Sequence, residues 1–268
     1  MKTKPGYPRL FLLVSAFTRV EVVVCVVCAV ILGLGIFVMP GEFNITRNRA
    51  FAQRVTCVGN LKQAGTAYIV WEGDHGDMIP SLASVTNAGL YEVFTNAGQG
   101  ALCWRVYGAM SNELGLSPGL LCCPADSRKM DPANAAPSAG FRVANTNISY
   151  FVGIGANSTF PNSILGGDRN LAPGLVSSND FGYSPASGAG NDVILSTNPA
   201  VSPICWSLKM HSASRKSGAG NLLLADCSVQ QTTSVSLRSY QSTGGTLFTN
   251  RIPSEHTPPA ASFRLIFP

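Results

Sequence analysis

The 268-residue sequence predicts an α+β protein. A long N-terminal helix, apolar in its first half and amphipathic in its second, packs on a loop-rich, mainly antiparallel β C-terminal domain. Three observations lead there. Residues 22–39 are uncharged and overwhelmingly apolar. Apolar residues then recur at spacings of three and four from 51 to 71. Beyond residue 80 that periodicity gives way to short β-prone runs set among Gly, Ser, Asn and Pro.

The first run, as helix, rises about 27 Å against the roughly 30 Å of a bilayer core. It therefore predicts a transmembrane helix over 17–39 rather than a signal peptide, whose apolar core is about 7–15 residues. Lys2, Lys4, Arg9 and Arg19 precede or open the run, while beyond residue 40 there are 15 Lys/Arg against 13 Asp/Glu. This asymmetry predicts a single-pass protein with its C-terminal domain outside the cytoplasm. The near-neutral body lacks the basic stripe of a nucleic-acid binder, so no nucleic-acid partner is expected. Glu21 is the anomaly, because a carboxylate inside a spanning helix costs about 2.5–3.5 kcal/mol on insertion scales. It calls for a cationic partner or another task.

Pro40 and Gly41 punctuate the end of the run. Phe51, Val55, Val58, Leu61, Gly65, Tyr68 and Trp71 then form a stripe of helical period, interrupted by Arg47, Arg54, Lys62 and Gln63. They predict an amphipathic helix over 40–73 that continues the membrane segment and ends at "EGDHGDMIP" (72–80). The globular body is 74–268, with strands expected at "ISYFVGIG" (148–155), "PICWSLKM" (203–210) and "SFRLIF" (262–267). A hairpin is expected over 221–235, with Asp226-Cys227-Ser228 near its turn.

Few residues suggest catalysis or a ligand. Of the three histidines, His75, His211 and His256, His211 can be drawn with Asp226 behind a Cys or Ser nucleophile. No G-x-S-x-G elbow accompanies them, and no enzyme is expected. Asp74, Asp77 and "GGDRN" (166–170) offer oxygen ligands but lack the dense Asp/Asn alternation of a calcium loop. No C-x-x-C pair follows the membrane run, so zinc is set aside, and neither metal nor cofactor is expected. Cys25 and Cys28 read as small apolar fillers. Cys57, Cys103, Cys122, Cys123, Cys205 and Cys227 are the disulfide candidates, with fifteen possible pairings.

The segment "AFTRVEVVVCVVCAVIL" resembles the cleavage and methylation segment of type IV pilin-like proteins, specifically type II secretion pseudopilins. "RVTCVGNLKQAGTAYIVWEGDHGDMIP", "CCPAD", "SYFVGIGANSTFPNSILGGDRNL" and "MHSASRKSGAGNLLLADCSV" are similar to later landmarks of the pseudopilin-like family whose C-terminal signature is a histidine followed by Asp-Gly. The resemblance implies a leader, 1–16, cut between Ala16 and Phe17 by a prepilin peptidase, and N-methylation of Phe17. It also implies that Glu21, fifth in the mature chain, pairs with the terminal amine of a neighbouring subunit. The implied partners are that peptidase, other pseudopilin subunits and an inner-membrane assembly platform; the implied site is the inner membrane, with the body periplasmic. Three positions depart from the pattern: Ala16 stands for glycine, Arg19 for an aliphatic, and Asp226-Cys227 for Asp-Gly. Cys227 at that position suggests recruitment into a disulfide. Cys57 with Cys123 is the favoured pair, since it ties the loop before Pro124 to the helix that carries the body. The rival expectation is a membrane-anchored binding module for carbohydrate or envelope material, with "SYF", Trp104, Tyr183 and Trp206 as an aromatic platform.

Overall fold

Thr18 opens the first helix, α1 (Arg19–Val38). Its Oγ1 accepts the Glu21 N–H at 3.4 Å, and its own N–H donates to Glu21 Oε2 at 2.7 Å. This reciprocal capping box satisfies two donors that a helix start otherwise leaves open. The computed structural model describes residues 18–38, 45–95, 102–128, 141, 143–156, 158–212, 217–244 and 262–268. The chain forms two units, Met1–Ile45 and Thr46–Pro268.

The N-terminal helix departs from expectation. In place of one helix of more than fifty residues there are two, α1 and α2 (Ile45–Asp74), assigned to different units apart from Ile45. Pro40, which has no N–H to give, and Gly41 fall in the interval between them. Among the described residues no helix is long and apolar enough to cross a membrane, which overturns the single-pass inner-membrane placement. Arg19 and Glu21 put two charged groups into the first turn of α1 and leave 22–38 as its uncharged part.

The second unit is built on an antiparallel sheet. Its strands in chain order are β1 (Tyr150–Gly153), β2 (Ile164–Asp168), β3 (Leu171–Pro173), β4 (Asn191–Ser196), β5 (Ile204–Trp206), β6 (Ala219–Leu224), β7 (Val229–Thr233) and β8 (Ser262–Phe267). Six of them pair in the order β4-β8-β1-β2-β6-β7, and β3 and β5 form a separate pair. All four expected strand segments are present. The hairpin stops at Thr233, where Ser234–Gly244, here α5, takes over as a helix the sequence reading did not anticipate.

Both faces of the main sheet are covered. Tyr150, Val152, Leu165, Leu223 and Ile266 face the core shared with α2, α3 (Tyr91–Thr95) and α4 (Cys103–Ala109). Their alternates Phe151, Ile164, Leu222, Leu224, Leu265 and Phe267 face a second core with Ile204, Trp206 and Leu237 of α5. The period of two thus sends each strand's side chains into two cores, which is why β1 and β2 are buried at every position. On α2 the buried stripe runs Cys57, Leu61, Ala64, Tyr68 and Trp71. Phe51 and Val55, assigned to that stripe from the sequence, are exposed, so the packed face starts a turn and a half later.

Candidate functional site

The family-like landmarks meet at one end of β2. Asp126, from "CCPAD", lies buried against Arg169, which donates Nε to Oδ2 at 2.6 Å and Nη2 to Oδ1 at 2.7 Å. The same guanidinium stacks over Phe181 at 3.4 Å and donates to the Ser184 hydroxyl. Two parallel bonds plus an aromatic face are the setting in which a buried Arg–carboxylate pair is tolerated. Asn170 donates its amide to the Ser207, Lys209 and Ala219 carbonyls, holding the chain that leads to His211.

Asp168, last residue of β2, points the other way. Its Oδ2 accepts the Asn221 N–H of β6 at 2.6 Å and lies 3.4 Å from His211 Nε2. His211 Nε2 is also 3.4 Å from Cys123 Sγ. Cys123 is joined to Cys57 of α2 in a disulfide. One ligand-type atom from each of Cys57, Cys123, Asp168 and His211 lies within 4.8 Å of the others, and all four residues are buried. Asp168 Oδ1 and His211 Nδ1 have no hydrogen-bond partner among the described residues. Each unmade bond in a buried site costs about 1–3 kcal/mol. Arg54 of α2 supplies nearby positive charge: it donates to Asn221 Oδ1 and the Gly220 and Thr232 carbonyls, and burial lowers its pKa against the pull of Asp168.

The sequence-predicted residues divide as follows. Ala16, Phe17 and His256 lie outside the described residues. Glu21 is exposed and held by Thr18, whose hydrogen bonds lower its carboxyl pKa. Of the disulfide candidates, Cys57 and Cys123 are bonded; the others meet backbone carbonyls. Cys103 donates to Ile266, Cys122 to Asn147, Cys205 to Val176 and Cys227 to Gly65. The disulfide role suggested for Cys227 is thus replaced by a thiol contact with α2, and burial pushes its pKa up to about 11. The partner of His211 is Asp168, not Asp226, which instead accepts the Ser228 N–H inside the β6–β7 turn. Asp77 sits in the turn that closes α2 with φ +57°. Tyr150, Phe151 and Trp206 are buried in the cores rather than displayed as a platform.

Sequence spacing could not reveal the four-residue cluster. Its members are scattered over more than 150 positions, and the signal was only that each sat in a landmark segment. No family model matches this chain, and no curated protein or solved structure matches it either.

Proposed function

We propose that the protein is a non-enzymatic, pilin-like filament subunit, assembled by packing α1 against α1 of neighbouring copies. The carrying observation is the surface of α1: Val20, Val22, Val23, Val24, Val26, Val27, Val30, Ile31 and Leu32 are all exposed. A helix apolar on every side needs a covering surface, and copies of itself supply one of matching shape. The resemblance of residues 16–32 to a prepilin segment supports the same reading, with a peptidase trimming the chain after Ala16.

Glu21 has a part in this. Both Thr18 groups donate to Oε2, which leaves Oε1 for the terminal amine of an adjacent subunit. The pairing sets register more than affinity, since an ion pair at a partly desolvated contact returns little beyond its desolvation cost. The α1 cysteines provide the test. Cys25 and Cys28 are exposed on one face of α1, so mild oxidation of assembled protein should give reducible dimers that vanish in Cys25→Ala/Cys28→Ala. N-terminal mass analysis of the same material should find Phe17 first. Monomers only, together with an intact residue 1–16 segment, would reject the reading.

A further inference from the structure

Independently of how subunits assemble, we infer that Cys57, Cys123, His211 and Asp168 form a zinc(II) site once the Cys57–Cys123 disulfide is reduced. The donor set is two thiolates, one imidazole and one carboxylate, a combination zinc takes with tetrahedral geometry. Distances agree. With zinc–ligand bonds of about 2.0–2.3 Å, the edges of such a tetrahedron are about 3.4–3.6 Å between unlike donors. Cys123 Sγ to His211 Nε2 and His211 Nε2 to Asp168 Oδ2 are both 3.4 Å. The sulfur–sulfur edge must open from a covalent bond to about 3.8 Å, and all four ligand atoms already lie within 4.8 Å of one another.

The surroundings suit a cation as well. Asp168 Oδ1 is an acceptor without a donor inside a fully buried side chain, so the protein's own donors leave this carboxylate with acceptor capacity to spare. The occupied site carries one net negative charge, which the Arg54 guanidinium offsets through Asn221. A cleft of about 530 Å³ lined by Thr56, Asn60, Cys122, Cys123, Asp126 and Arg128 lies beside the Cys123 half of the disulfide.

The chemistry balances with a phosphine reductant. The phosphine and one water convert the disulfide to two thiols and a phosphine oxide. Zinc then binds as the two thiols give their protons to solvent, while His211 coordinates through Nε2 with its proton on Nδ1. In either redox state α2 stays fastened to the loop before Pro124, by a covalent bond or by the metal. The site is a staple that survives reduction.

The test uses the full chain, reduced anaerobically with a water-soluble phosphine and then given zinc(II) or cobalt(II), with excess metal removed by gel filtration. One metal per chain is expected in the reduced protein and none in the oxidised protein. Cobalt should show the thiolate charge-transfer and intense visible bands of a tetrahedral site. His211→Gln should weaken binding by more than about 100-fold, beyond what loss of an outer-shell partner costs, while Cys227→Ser should bind as the parent does. Circular dichroism covers the case of a reduced protein that unfolds: refolding on zinc addition is expected, and failure to refold overturns the inference. Retention of stoichiometric metal by Cys57→Ser/Cys123→Ser overturns it too, as does no metal in reduced, folded protein.

Discussion

Individual carboxylates in this chain are set by their immediate surroundings. Glu72 on α2 is buried, which raises its pKa, and Asp77 nearby adds to the effect. A carboxyl whose folded pKa exceeds its unfolded value near 4.5 binds protons better when folded. Its ionisation therefore weakens the fold above the folded pKa, and the penalty disappears as pH falls below the unfolded one. Glu72→Gln should raise Tm at neutral pH and lose that advantage below about pH 4.5; thermal melts across pH 3–8 in both proteins give the comparison. At Asp126 the buried carboxylate is met by Arg169 on two bonds. Asp126→Ala strands the guanidinium and should cost about 3–5 kcal/mol by urea unfolding. Asp126→Leu combined with Arg169→Met should recover most of that loss, since an apolar pair of similar size needs no compensation.

Between elements, α2 fits tightly on the β6–β7 turn. A methyl at Gly65 would lie 2.9 Å from Leu223 Cδ1 and 3.0 Å from Cys227 Cβ. Cys227 itself holds φ +61°, the left-handed position that glycine would fill in an Asp-Gly turn. The turn geometry is kept with a strained residue, and the sulfur gains a hydrogen bond to the Gly65 carbonyl at 2.9 Å. Gly65→Ala should destabilise by about 1–3 kcal/mol through overpacking. Cys227→Gly relieves the backbone while losing the sulfur contact, for a net change within about 1 kcal/mol. Made in that background, Gly65→Ala should cost less, with a coupling of about 0.5–3 kcal/mol in a double-mutant cycle. Strictly additive effects would mean the two residues do not press on each other. The Cys57–Cys123 bond acts at this scale too: it closes a loop of 66 positions, worth about 4 kcal/mol in the chain-entropy model.

For the molecule as a whole, the question is what covers α1. In the proposed filament Glu21 has two purposes, cap and subunit contact, that one substitution can separate. Glutamine at the same helix position keeps a capping box but carries no charge. Glu21→Gln should therefore leave α1 capped while oxidation through Cys25 and Cys28 yields far fewer crosslinked multimers than the parent. Glu21→Ala should lose both cap and multimers. If Glu21→Gln assembles like the parent, the carboxylate serves the cap alone.

Much of the local structure was legible in the sequence, because it depends on neighbours along the chain. The strands over 148–155 and 262–267 and the hairpin around Asp226 follow from periodicity and turn chemistry within a few residues. The staple partners Cys57 and Cys123 could be argued from where helix and loop had to be tied. Other features needed the third dimension. Whether a helical stripe begins at Phe51 or at Cys57 depends on where the sheet ends, and periodicity marks a face without marking its length. Pro40 and Gly41 mark a break in the sequence, yet two stretches of helical period on either side of it read as one long helix when their spacing is given more weight. Most of all, Asp168 meets His211 and the cysteines only because β2 pairs with β6 and the chain beyond β5 returns to the helix. Four residues drawn from separate segments come within 4.8 Å of one another because antiparallel pairing and two-sided burial bring their segments together.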